Sequence, residues 1–191
     1  MADYQAIMAI SKAVLELLRR NYEPKDFNFT ELVFEVFQAK DFSKKTIDSG
    51  VSLFMYRIFP NGSHRTPSGR IDVTGRRHRT QLAVDLHFLL TAWGNDASLQ
   101  HSIAGWMIRT LEDTPILPAN LLNTFVADVF RPEETVEISM GEMDTEVMVR
   151  LWDSLLENTF QLSVPYMARN VWIESRHFVK EGGLVQTREF G

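Results

Sequence analysis

The chain has 191 residues, a formal net charge of −5, 45% apolar and 24% charged residues, and no cysteine. That length fits one domain, or one domain with a tail, large enough to bury its own core without a covalent staple. The missing thiol excludes disulfide frameworks, cysteine-ligated metal centres and thiol nucleophiles, and a mildly acidic chain is a poor general binder of nucleic acid.

Ile7, Ile10, Val14, Leu17 and Leu18 recur at spacings of three and four, with Lys12, Glu16, Arg19 and Arg20 on the opposite side. This predicts an amphipathic helix over about 4–20, capped by Asp3 and stopped near Asn21 and Pro24. Residues 32–37 and 51–59 are rich in aromatic and β-branched side chains and read as strands, the second closed by the turn signal Pro60-Asn61-Gly62. Leu82 to Trp93 is almost continuously apolar, which predicts a central strand covered on both faces. Helical spacing returns from Ala97 to Asp113, and Thr114-Pro115-Ile116-Leu117-Pro118 breaks it. A short helical turn follows around Leu121–Phe125. Residues 135–139 alternate as an exposed or edge strand, residues from Asp144 or Thr145 to about Glu157 form a helix, and Phe160–Ile173 is extended. Strands cluster first and then mix with helices, so the expected class is α+β: one domain over 1–174 with a mixed or antiparallel sheet of four to five strands and about three helices. Residues 175–191, with Gly182-Gly183 and scattered charge, read as a C-terminal tail or exchanged arm.

Charge is unevenly spread. Residues 1–100 hold 13 Lys/Arg and 11 Asp/Glu, net +2, and residues 101–191 hold 7 and 14, net −7. Opposite local charges on one small subunit suit head-to-tail contact between identical copies. The positive side concentrates in residues 61–80, a long irregular stretch with Arg65, Arg70, Arg76, Arg77 and Arg79 against Asp72 alone. Three readings stand: a solvated mobile loop, a docking element for an acidic protein surface through bidentate guanidinium–carboxylate pairs, or a nucleic-acid grip. The last is disfavoured because no aromatic residues interleave for base stacking.

No pattern of catalysis emerges. The histidines His64, His78, His87, His101 and His177 make no metal-ligand spacing; His87 reads as a structural histidine within a strand, and His64 and His78 as solvated loop residues. Glu112-Asp113 are helix neighbours about 100° apart and do not face each other as an acid–base pair. Neither a phosphate-binding glycine loop nor a GxSxG elbow occurs. The expectation is a non-enzymatic protein with no cofactor, metal or small-molecule substrate. The first residues lack a basic leader region, and no stretch approaches the roughly 20 apolar residues of a membrane span, so synthesis in the cytoplasm is expected.

Three segments carry a resemblance: Ala83-Val84-Asp85-Leu86-His87-Phe88-Leu89-Leu90-Thr91-Ala92-Trp93, then Gly105 to Pro118 (GWMIRTLEDTPILP), then Leu162-Ser163-Val164-Pro165-Tyr166-Met167-Ala168-Arg169. In this order and spacing, over roughly residues 4–175, the chain resembles the cap or tail-terminator family of extracellular contractile injection systems, phage-tail-like toxin-delivery particles. The resemblance implies a structural subunit in a ring of six that closes the distal end of tube and sheath and ends their polymerisation. It implies tube and sheath proteins as partners, a place in a particle released from the cell, and no catalytic residues. The arginine-rich insert departs from the family pattern, where this stretch is more proline-rich. The alternatives are another phage-tail-like component, such as a tube-completion or connector protein, and a nucleic-acid-binding module using loop 61–80.

Overall fold

Amphipathic spacing and continuous apolar runs sort the chain onto two sides of one sheet in the computed structural model, which describes residues 2–44, 47–62, 69, 71–156 and 159–179. The first helix, α1 (Ala6–Asn21), buries Ala6, Ala9, Ile10, Ala13, Val14, Leu17 and Leu18 along one stripe. Asp3 acts just ahead of it, its carboxylate accepting the Gln5 N–H at 2.8 Å. Strand β1 (Val33–Phe37), a single helical turn α2 (Asp41–Lys44) and strand β2 (Gly50–Pro60) follow, then the long strand β3 (Leu82–Trp93) and helix α3 (Ala97–Asp113). Asp96 caps α3 by accepting the Leu99 N–H at 2.9 Å. The chain continues through β4 (Ile116–Pro118), α4 (Ala119–Leu122), β5 (Thr135–Met140), α5 (Thr145–Leu155) and β6 (Ser163–Ile173).

The strands form one six-stranded mixed sheet in the order β1-β2-β3-β6-β5-β4. Only β1 and β2 run parallel; every other pair is antiparallel. As its composition predicts, β3 lies at the centre, and its two faces feed two cores. Val84, Leu86, Phe88, Leu90 and Ala92 join the larger core beneath α1, α3 and α4. Leu89 points the other way, into a smaller aromatic core with Phe37, Phe42, Ile47 and Trp152 under α2 and α5. Trp152 is 1% exposed, while Trp93 and Trp106 are half-buried, the former against the smaller core and the latter against the larger.

The sheet has one more strand than the upper expectation, and the helices include two single turns, α2 and α4. The extra strand is β4. Pro115 before it and Pro118 at its end read as a break, but Leu117 is fully buried and sits opposite Val136. β4 therefore occupies the sheet margin, and β5 lies inside it along Thr135–Glu137 rather than at the edge.

Candidate docking surface

The end of the sheet where β2 finishes and β3 begins carries the arginine-rich stretch. Arg65 and Arg70 lie outside the described residues, as does His64. Arg76, Arg77 and Arg79 are all exposed. Far from being structureless, residues 71–79 make a tight turn closed by an antiparallel bridge between Ile71 and Arg77. Asp72, the lone acid among these arginines, organises it. Its Oδ1 accepts the Thr74 N–H at 2.8 Å, the Thr74 hydroxyl at 2.6 Å and the Arg76 N–H at 2.9 Å. Gly75 supplies the left-handed residue of the turn at φ +82°. These bonds, the Thr74 hydroxyl foremost, hold the Asp72 carboxyl below the usual carboxylate range.

The chain beyond β6 braces this turn. His78 bridges Phe178, Arg79 donates its N–H to His177 O at 3.0 Å, and Val179 donates to Arg77 O at 2.7 Å. His78 is buried, not solvated as its loop position suggests. Its Nδ1 lies 3.0 Å from Ser175 O and its ring 4.5 Å from that of Phe178. The Arg76 guanidinium also lies over the Phe178 ring, 4.2 Å from its centre. The brace is tied down in turn. Buried Glu174 accepts from Gln81 at 2.7 Å and from Arg131 at 3.3 Å, its N–H donates to Ala2 O, and Arg176 pairs with Asp3. None of these partners is within 40 residues in sequence, so periodicity and turn chemistry carried no sign of them.

What the turn offers outward is mixed in character. Val73 at its tip is fully exposed and Ile71 is 54% exposed. Arg77 and Arg79 meet no carboxylate among the described residues, and Arg76 keeps only a long 3.7 Å pair with Asp72. A cleft of about 420 Å³, lined by Pro60, Asn61, Gly62, Thr80, Gln81, Leu82 and Ala83, adjoins its base. Rigid arginine forks beside exposed apolar side chains make a surface suited to carboxylates on a protein, where bidentate pairing and apolar contact act together.

The remaining polar candidates are structural in their settings. Glu112 and Asp113 point to different partners: Asp113 pairs with Arg109, and Glu112 accepts the Tyr166 hydroxyl at 3.4 Å. Burial, with the Glu112 charge beside it, pushes the Tyr166 phenol far above its ordinary value. His87 is half-buried with its ring 6.1 Å from Tyr56, and burial, helped by the Arg57 charge, holds its pKa below the usual value. Among the described residues no three His, Asp or Glu side chains come together as a metal-binding group, and no helix is long and apolar enough to cross a membrane.

The family model described as the Pvc16 N-terminal domain matches residues 9–187. The chain belongs to that family. Among solved structures, this Pvc16 N-terminal domain is similar to the PVC sheath/tube terminator of an extracellular contractile injection system, determined by cryo-EM in the extended state. The identity is 15% and the TM-score 0.66, over 96% of this chain and 62% of that one. It is also similar to the tube-terminating cap of the anti-feeding prophage, at 17% identity and a TM-score of 0.63, over 95% of this chain and 60% of that one. At such identities the likeness is one of fold. The chain spans about three fifths of the length of each terminator. No curated protein sequence matches it.

Proposed function

We propose that this Pvc16 N-terminal domain is the structural cap subunit of a contractile injection particle, forming a ring of six that seats on the last turn of tube and sheath and ends their growth. The family match over residues 9–187, joined to a shared fold with two terminators, carries this reading. A terminator needs a surface complementary to the last ring of the polymer and a far side that does not regenerate it, which is a matter of shape and charge rather than bond chemistry. The six-stranded sheet with helices packed on both faces supplies a stiff body, and the braced turn bearing Arg76, Arg77 and Arg79 supplies a charged contact element. Its place of action is the assembled particle.

The test is to express the tube and sheath proteins with and without this chain and measure particle length by electron microscopy, with the chain labelled. Particles of uniform length bearing label at the end distal to the baseplate are expected. Label along the shaft or at the baseplate, or lengths indifferent to the chain, would refute the cap reading and favour a connector or tube-completion role.

A further inference from the structure

Resting on the cap reading, we infer that the arginine turn docks onto the corner between β5 and α5 of a second copy of this chain, and that this contact joins neighbours in the ring. The two surfaces match in both charge and apolar content. The turn presents Arg76, Arg77 and Arg79 around exposed Ile71 and Val73. The corner presents Glu142, Asp144 and Glu146, all exposed, beside Met140, Val147 and Val149, which are 46%, 54% and 44% exposed. α5 buries only Trp152 completely, so most of its outer surface is left uncovered by the described residues of its own subunit.

Several acidic positions elsewhere are engaged within the subunit. Asp113 pairs with Arg109, Glu112 receives Tyr166, Glu16 holds Arg19 and Arg20, and the Glu134 carboxylate accepts the Arg131 N–H. At the corner, Glu146 pairs with Arg150 across the exposed face of α5, and Asp144 caps the helix by accepting the Glu146 N–H. Neither role uses all the acceptor positions of a carboxylate.

The two surfaces do not meet within one subunit. The turn projects from the sheet end where Pro60, Leu82 and Ile173 lie. β5 instead delivers the chain at Met140, opposite Tyr166 in the middle of β6, and α5 carries Trp152 toward Trp93 at the other end of β3. Two different, complementary surfaces at separate places on one subunit make a heterologous contact, the kind that closes a ring when its rotation divides a full turn. This deepens the +2 and −7 division of charge into named side chains. It also explains why the turn is braced in advance by Phe178 and Val179: a preorganised arginine fork loses less freedom on pairing.

The experiment is a charge exchange read by light scattering and native mass spectrometry of the full chain, alone and with the tube and sheath proteins. One variant carries Arg76→Glu, Arg77→Glu and Arg79→Glu. The other carries Glu142→Lys and Glu146→Lys, leaving the helix cap Asp144 in place. Circular dichroism confirms folding, and Val147→Ser serves as a milder change at the same corner. Each charge variant alone should show ring assembly weakened roughly a hundredfold or more, since like charges then face each other. An equimolar mixture should recover association in alternating order, because the acidic turn of one variant meets the lysine corner of the other and the arginine turn of the second meets the unaltered acidic corner of the first, and raised salt should weaken the wild-type ring. Rings that persist in both charge variants would overturn the inference. So would an arginine variant that assembles normally but no longer limits particle length, which would put the turn against tube or sheath and leave the cap reading intact. A wild-type chain that never assembles, even with tube and sheath present, would overturn both.

Discussion

Replacing Trp152 with alanine removes the centre of the smaller core. Its ring makes edge-to-face contacts with Phe42 at 5.3 Å, Trp93 at 6.4 Å and Phe160 at 6.2 Å. Truncating a buried tryptophan costs about 3–5 kcal/mol, and each aromatic pair contributes about 0.5–1.5 kcal/mol beyond area burial. For a chain of this size about 1 kcal/mol moves the melting temperature by about 2–4 °C, so Trp152→Ala should lower it by roughly 6–20 °C. One detail separates this from a generic core substitution. The indole N–H of Trp152 is buried with no acceptor among the described residues. Such a group costs about 1–3 kcal/mol. Trp152→Phe gives up ring volume but removes the stranded donor, so it should cost under about 1.5 kcal/mol and keep the edge-to-face arrangement. Urea unfolding followed by circular dichroism measures both variants. A loss below about 1 kcal/mol for alanine, or equal losses for alanine and phenylalanine, would refute the assignment of Trp152 as the keystone of that core.

Gly50 lies at φ +149°, and a Cβ there would fall 2.0 Å from Val33 O, so Gly50→Ala should destabilise the protein by at least about 2 kcal/mol in urea and loosen β1 first, as faster amide exchange over Val33–Phe37. Asp72→Ala should raise exchange of the Thr74 and Arg76 amides while leaving the melting temperature unchanged. Because the folded Asp72 carboxyl titrates below its unfolded value, the turn's ordering is complete above the ordinary carboxylate range near pH 4 and is lost as pH falls through the lowered folded value, which NMR amide shifts would track. His87 is held neutral by burial, so its contribution to stability is complete above about pH 6.5 and declines as pH falls from there toward its lowered folded value. His87→Leu should therefore flatten the dependence of unfolding free energy on pH between 7 and 5, and an unchanged slope would show that other groups carry it.

Elements whose stability is local were legible from the chain. Leu82–Trp93 and Ala97–Asp113 match their expected spans because a mostly apolar run and a 3.6-residue period each persist for twelve residues or more. β4 escaped notice because one proline precedes it, another ends it, and its one buried side chain, Leu117, finds its partner nineteen residues later at Val136. The candidate docking surface was legible as composition but not as shape. Five arginines were apparent, yet the order of the turn depends on the Asp72 carboxylate accepting from Thr74 and Arg76 and on Phe178 and Val179 arriving from a hundred residues away. His78 was misread for that same reason: its solvent shield is contributed by Ser175 and Phe178.

The proline-flanked margin of the sheet has a wider consequence. An uncovered strand is a template, and a chain proposed to act at the growing tip of a polymer would meet many other strands at high local concentration. β4 shows a three-residue front with Pro118 inside it, where one amide donor is missing and a fourth ladder rung has no room. Exchanging Pro118 for threonine would restore that donor and lengthen the front. The same subunit would then invite edge-to-edge accretion, so the protein guards against open-ended growth in its own backbone as well as in the tube it is proposed to close.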